Sequence, residues 1–411
     1  MREKYIEYAK TILEVGVNLK EGQEVFINAL TEYREFLIVL VEEAYKLKAK
    51  KVVINWADTD LSRLDYKYCD IDVLESVEDY VIKRYDTIVE NGACIISLTG
   101  QASNVFSGID AIKIQKTRNA FSKAVSKFYT AMMSDKLTWC VAGVPTRRWA
   151  KEVFSNLLEE EAYTKLWETI FYVSRIEVGK SVENWKNHIS LLKDRAKKLN
   201  NYNFKELHYK ASNGTDFIVG LPKGHIWVAA ESENLLNNRK FTANIPTEEI
   251  YTLPDRNNIN GKIYSTKVLN YNGNAISDFW FEVKNGKVID FDAREGKDIL
   301  EKLLDSDEGS RYFGEVALVP YNSPISNTNI LFYNTLYDEN ASCHFALGRA
   351  YPTTLDGGVD MTEEELVKNG ANYSINHVDF MIGSNDLSIV GVTYTGEKIS
   401  IFENGNFSEL F

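Results

Sequence analysis

A change of rhythm near residue 200 constrains this chain more than any other feature. Before it, helix and strand periodicities alternate. Ile6, Ala9, Ile12 and Leu13 keep helical spacing, Glu24 to Asn28 reads as a strand, Thr31 to Lys48 as a helix and Lys51 to Trp56 as a strand. Ala93 to Thr99 and Leu137 to Ala142 read as further strands, with helical runs near 111–134, 145–174 and 184–199. Strands separated by helices pair in parallel, with the helices covering the sheet. Residues 1–180 are therefore expected to form an α/β domain with a mainly parallel sheet, acting as a scaffold and as a dimer or lid domain. After residue 200, short strands are punctuated by turns. Asn285-Gly286 and Asn404-Gly405 each lie between apolar strands, which suits a type I′ hairpin because both central residues take positive φ. Residues 181–411 are thus expected to form a mixed, largely antiparallel domain, giving an α/β and α+β chain.

A length of 411 residues agrees with two domains. The net charge of −12 argues against a duplex-binding surface, which needs clustered cations, so no nucleic-acid partner is expected. Residues 1–10 carry no apolar signal core, and Phe36 to Val41 is far too short to span a bilayer; a cytoplasmic protein without a membrane partner is expected. No G-x-G-x-x-G or G-x-x-x-x-G-K-[ST] follows a strand, so the first domain offers no phosphate cradle. Cys69, Cys94, Cys140 and Cys343 are widely spaced and form no C-x-x-C pair, which points to buried free thiols.

Chemistry gathers in the second half. Of five histidines, His188, His208 and His225 show no partner at a ligand spacing and are assigned structural or surface roles. In Ser374-Ile375-Asn376-His377-Val378-Asp379-Phe380-Met381-Ile382, strand alternation puts Val378, Phe380 and Ile382 on one face and His377 with Asp379 on the other. An H-x-D pair can chelate one ion, although alone it also reads as a surface salt bridge. His344 follows Asp338 and Glu339 by six and five residues, and Glu315 is a lone acid within the apolar run Phe313 to Val319. Desolvating such a carboxylate is costly unless a cation neutralises it or it turns to water. Glu248 and Glu249 follow Asn244-Ile245-Pro246-Thr247, where helix-start acids are the plainer reading. Two carboxylates about 4 Å apart repel by roughly 4 kcal/mol at an effective dielectric near 20, so several converging acids need cations. More acids than histidines fits two divalent ions bridged by a carboxylate.

The segments Asn244 to Glu249, Gly314 to Val319, Tyr337 to His344 and His377 to Gly383 resemble the thermophilic aminopeptidase family of metallopeptidases, which contains aminopeptidases T, S and II. Order and spacing match across nearly the whole chain. The resemblance implies Glu249, Glu315, Glu339, His344, His377 and Asp379 as metal ligands, with Glu315 as the bridge. It places Tyr351, in Gly348-Arg349-Ala350-Tyr351-Pro352, near the metals, and it implies a homodimer. The expected reaction is hydrolysis of the N-terminal peptide bond of short peptides, with two ions of zinc, cobalt or manganese per subunit activating a water. Tyr351 would donate to the developing oxyanion, and Glu248 would shuttle a proton or hold the substrate ammonium. A dinuclear phosphoesterase is the alternative from the same chemistry, and a non-enzymatic metal-stabilised binding protein the alternative from another class.

Overall fold

Consecutive buried residues such as Val25, Phe26 and Ile27, or Cys94, Ile95 and Ile96, need cover on both faces, and a parallel sheet flanked by helices supplies it. The computed structural model describes residues 1–271 and 274–411. It has β1 (Glu24–Leu30), β2 (Lys51–Ala57), β3 (Cys94–Thr99) and β4 (Trp139–Gly143) in one sheet, ordered β4-β3-β1-β2 and parallel throughout. A two-residue strand, Asn244–Ile245, adds to β4, also in parallel.

The helices differ from expectation in two ways. Three of them, Thr59–Tyr68, Ile71–Glu75 and Asp79–Glu90, lie between β2 and β3, where no helix was predicted. They bury few apolar side chains, among them Tyr85 and Ile88 of the third. The first is fixed instead by a cap, the Asp58 carboxylate accepting the N–H groups of Asp60 and Leu61. Two long predicted runs are also divided. The first breaks at Val125, which leaves helical dihedrals and is buried with Phe128 and Ala131. The second becomes Arg147–Val153 and Glu159–Val173, the latter opened by three glutamates that suit the positive end of the helix dipole.

The chain sorts into two compact units, one of residues 1–188 and 231–246, the other of residues 189–230 and 247–411. The second unit contains two antiparallel sheets. The larger includes Phe204–Lys210, Asp216–Gly220, Ile259–Tyr264, Asn274–Lys284 and Ser388–Thr393. Both Asn-Gly turns behave as read, with positive φ at Asn285 and Gly286 and at Asn404 and Gly405.

The smaller sheet has β5 (Val228–Ala229), β6 (Ile250–Thr252), β7 (Phe313–Leu318), β8 (His344–Gly348) and β9 (His377–Met381) in the order β9-β8-β7-β6-β5. Val316, Leu318, Phe345, Leu347 and Phe380 turn to a core shared with the larger sheet. Ring contacts cross it, Tyr209 to Phe345 at 5.2 Å, Phe281 to Phe380 at 5.2 Å and Phe217 to Phe313 at 5.8 Å. Strand alternation therefore commits Glu315, Ala317, His344, Ala346, Gly348, His377 and Asp379 to the opposite face. Among the described residues, no helix is long and apolar enough to cross a membrane.

Candidate metal centre

Register brings the polar residues of that face together. Glu315 pairs with Ala346 and Ala346 with Asp379, so the two carboxylates flank one methyl group in a single row across β7, β8 and β9. The next row pairs Ala317 with His344, and on the other side Gly348 pairs with His377. Small residues at 317, 346 and 348 leave the floor of the site open, while the long polar side chains rise around it. Glu249 enters from the residue before β6, whose Ile250 pairs with Leu318 of β7.

Two groups of ligand atoms form, Glu249 with Glu315 and His344, and Glu315 with His377 and Asp379, the atoms of each lying within 4.8 Å of one another. Glu315 belongs to both. Its Oε1 is 3.5 Å from His344 Nε2, and its Oε2 is 3.5 Å from His377 Nε2. His344 Nε2 is also 3.4 Å from Glu249 Oε2, and His377 Nε2 is 3.4 Å from Asp379 Oδ1. These separations are long for hydrogen bonds. Two ligand atoms about 2.1 Å from one ion and at a tetrahedral angle lie about 3.4 Å apart, so the donors fit a divalent cation better than they fit each other.

The imidazole orientations point the same way. His344 Nδ1 lies 3.1 Å from the Ser342 carbonyl and His377 Nδ1 2.7 Å from the Arg349 carbonyl. A carbonyl only accepts, so each Nδ1 carries its proton and, in the neutral ring, each Nε2 presents a lone pair to the carboxylates. Asp379 Oδ1 is buried with no hydrogen-bond partner among the described residues. A buried carboxylate oxygen without a hydrogen bond, 3.4 Å from the Nε2 of His377, is a place for a cation.

The charge balance is that of a site short of positive charge. Burial pushes the Glu315 carboxyl up, and neighbouring Asp379 and Glu249 add to it against His344 and His377. Burial, with Glu249 and Asp379, holds Glu339 well above its ordinary value. Burial also raises Asp379, but His377 outweighs it and keeps that carboxyl low. Both imidazoles resist protonation by burial yet are drawn up by the acids, His377 to about 10. In the absence of a metal ion, protons on the histidines do the neutralising.

Glu339, on the turn Glu339–Ala341, faces this cluster electrostatically without belonging to either group of three. Tyr351 puts its ring 4.8 Å from that of His377. The residue is 41% exposed, while burial of its hydroxyl and the carboxylates of Glu315 and Asp379 push the phenol well above its ordinary value. Glu248 is buried and belongs to neither group; its backbone N–H donates to Asn340 Oδ1 at 2.7 Å, and its carboxylate supports the charge of Arg195. Asn340 thus ties the Glu249 segment to the Glu339 turn, a role that no spacing in the sequence signals.

The family-model comparison matches residues 1–407 to the thermophilic metalloprotease (M29) family. The chain belongs to this family of metallopeptidases. It is 43% identical to aminopeptidase AmpS of Bacillus subtilis over 99% of this chain and 98% of that one. Aminopeptidase T of Thermus aquaticus is 31% identical over 98% of both. Among solved structures, wild-type AmpT from Thermus thermophilus superposes with a TM-score of 0.92 at 31% identity, covering 99% of this chain and 100% of that one. Membership makes the M29 chain a peptide hydrolase, with the mixed α/β architecture expected from its sequence.

The remaining candidates stay outside the centre. Cys343 exchanges hydrogen bonds with the Val319 backbone, and burial pushes its thiol up to about 12, which removes it as a nucleophile. Cys94 and Cys140 are buried, Cys69 is half-buried, and all four cysteines are free. His208, assigned a structural or surface role, meets Glu206 Oε1 through its Nε2 at 2.8 Å, two residues back on the same strand face. His225 bonds the Pro222 carbonyl, and His188 packs edge-on against Trp185.

Proposed function

We propose that the chain is a metal-dependent aminopeptidase that removes the N-terminal residue of short peptides at a dinuclear centre. Glu249, Glu315, Glu339, His344, His377 and Asp379 are the ligands in this reading, and Glu315 is the bridge. One observation carries it: the two oxygens of a single buried carboxylate each face a different imidazole nitrogen at 3.5 Å. A pair of divalent ions, when bound, supplies acidified water and polarises the scissile carbonyl.

The chain's own residues do the rest. His344 and His377, tethered through Nδ1, keep Nε2 aimed inward. The buried sheet floor excludes bulk water from Glu315, whose side chain is 6% exposed. Tyr351 is assigned the hydrogen bond to the oxyanion that forms as the carbonyl is attacked, since its phenol keeps its proton and its ring lies on His377. Glu248 is assigned the part of proton carrier or ammonium anchor. The metal is zinc, cobalt or manganese, all of which accept mixed carboxylate and imidazole ligands. The working form is taken to be a cytoplasmic homodimer.

The test pairs chelation with substitution. Exhaustive chelation abolishes hydrolysis of leucyl-p-nitroanilide, and adding back zinc, cobalt or manganese restores it, while p-nitrophenyl phosphate is left intact throughout. Glu315→Gln, which cannot hold two cations, lowers kcat by about a thousandfold, equivalent to roughly 4 kcal/mol. Activity that survives chelation, or full turnover by Glu315→Gln with metal supplied, overturns the proposal.

A further inference from the structure

His377 is reached through an irregular segment. It opens β9, and the residues before it, Ala371 to Asn376, run without helix or strand. Such a segment wanders unless its backbone groups are tied down. Here one carboxylate holds both the Ile375 N–H and the Ser374 hydroxyl. Asp307 Oδ1 accepts the Ser310 N–H at 2.7 Å, the Ser310 hydroxyl at 2.7 Å and the Ser374 hydroxyl at 2.8 Å. Its Oδ2 accepts the Ile375 N–H at 2.7 Å. Ser310 and Ser374 are fully buried.

The bonds continue to the imidazole. The Ser374 hydroxyl accepts the Asn376 N–H at 3.1 Å, and Asn376 Nδ2 donates to the Ser310 hydroxyl at 2.8 Å and also to the Ser306 hydroxyl. The Asn376 carbonyl accepts the Arg349 N–H at 2.7 Å, and the Arg349 carbonyl is the group that fixes His377 Nδ1. Glycines make room for this layering. A Cβ on Gly348, at φ +102°, would meet the Asn376 carbonyl oxygen at 2.2 Å, and one on Gly314 would meet the Arg349 carbonyl oxygen at 2.3 Å.

We propose that Asp307 is a positioning residue for the His377 side of the centre, acting through Ser374, Asn376 and the Arg349 carbonyl. The role needs a carboxylate, because its oxygens meet only donors; an amide would set its own N–H groups against Ile375 or the serines. The second side of the centre, with Glu249 and His344, takes its support elsewhere, from the Ser342 carbonyl. Disturbing Asp307 therefore loosens one metal position and spares the other. The inference rests on the two-ion reading above.

The experiment is a zinc titration of the full-length, chelator-stripped protein against a chromophoric competitor, which resolves two binding steps without reference to turnover. Asp307→Asn weakens one step by about 10–100-fold and leaves the other within about threefold of wild type, the size seen when an outer partner of a ligand is lost. Ser374→Ala, which removes a single hydroxyl, weakens the same step and decides the matter if Asp307→Asn does not fold. Two wild-type steps in Ser374→Ala, or an equal fall in both, overturn the inference. His377→Ala separates this failure from that of the parent reading: if it leaves both steps unchanged, the two-ion centre itself is wrong.

Discussion

At the scale of single residues, Tyr351 is the side chain whose chemistry is most exposed to test. Burial and the carboxylates of Glu315 and Asp379 favour the protonated phenol, as the proposed role of donor requires. A donor aimed at charge that appears only in the transition state affects kcat and leaves ground-state binding alone. Tyr351→Phe is expected to lower kcat on leucyl-p-nitroanilide by about 10²–10³ with little change in KM, the cost of losing one such donor. A rise in KM at unchanged kcat would instead make Tyr351 part of the substrate pocket. At this scale much of the site was legible. Alternation puts His377 and Asp379 together on one face of an apolar strand, and Glu315 is a lone acid within Phe313 to Val319; each alone also had a surface reading, and it is their collection in one half of the chain that marked them. Asn340 and Asp307 were not legible. Their contacts reach residues 92 positions and 67 positions away, Glu248 and Ser374, and an isolated polar residue in a turn gives no sign of so distant a partner.

At the scale of elements, the centre depends on what β8 lacks as much as on what its neighbours carry. Ala346 lies between Glu315 and Asp379 in the cross-strand row, and a larger side chain there would stand between the two carboxylates. Ala346→Leu should keep the strand, since its neighbours Phe345 and Leu347 still fill the core, yet cut zinc affinity and activity together by at least about tenfold. Equilibrium dialysis with zinc and the p-nitroanilide assay check both; loss of activity with normal zinc content would move the effect from the metal to the substrate. Elements with clean periodicity were readable, as β1, β3 and both Asn-Gly hairpins show. Helices Thr59–Tyr68 and Ile71–Glu75 were not: Leu61, Leu64 and Tyr68 do keep helical spacing, but these side chains stay exposed, and the short run between two strands reads as a connection. The break at Val125 is a tertiary choice, a β-branched residue leaving the helix to enter the core with Phe128, which local propensity does not foresee.

For the whole molecule, the proposed centre would place folding and metal binding in one balance. Four carboxylates and two imidazoles converge beside a core of fully buried phenylalanines, and without cations the unit holds the acids by protonating its histidines and raising Glu315 and Glu339. Each carboxyl so raised opposes folding at neutral pH, and a bound ion reverses the sign by binding the native state alone. At a free ion concentration of about 100 times Kd, one site adds about 2.7 kcal/mol, which for a unit of this size moves the unfolding midpoint by roughly 5–10 °C. Differential scanning fluorimetry at pH 7 should therefore show a midpoint that falls by that much under chelation and returns with zinc. Glu339→Gln gives the decisive contrast. Removing one charge from the metal-free cluster relieves repulsion, so its chelated form should unfold above the chelated wild type, while zinc should raise it by less. A wild-type midpoint indifferent to chelation would mean that these buried acids are balanced by something other than metal ions. A Glu339→Gln variant less stable than wild type in both states would mean that this carboxylate serves the fold, not the centre.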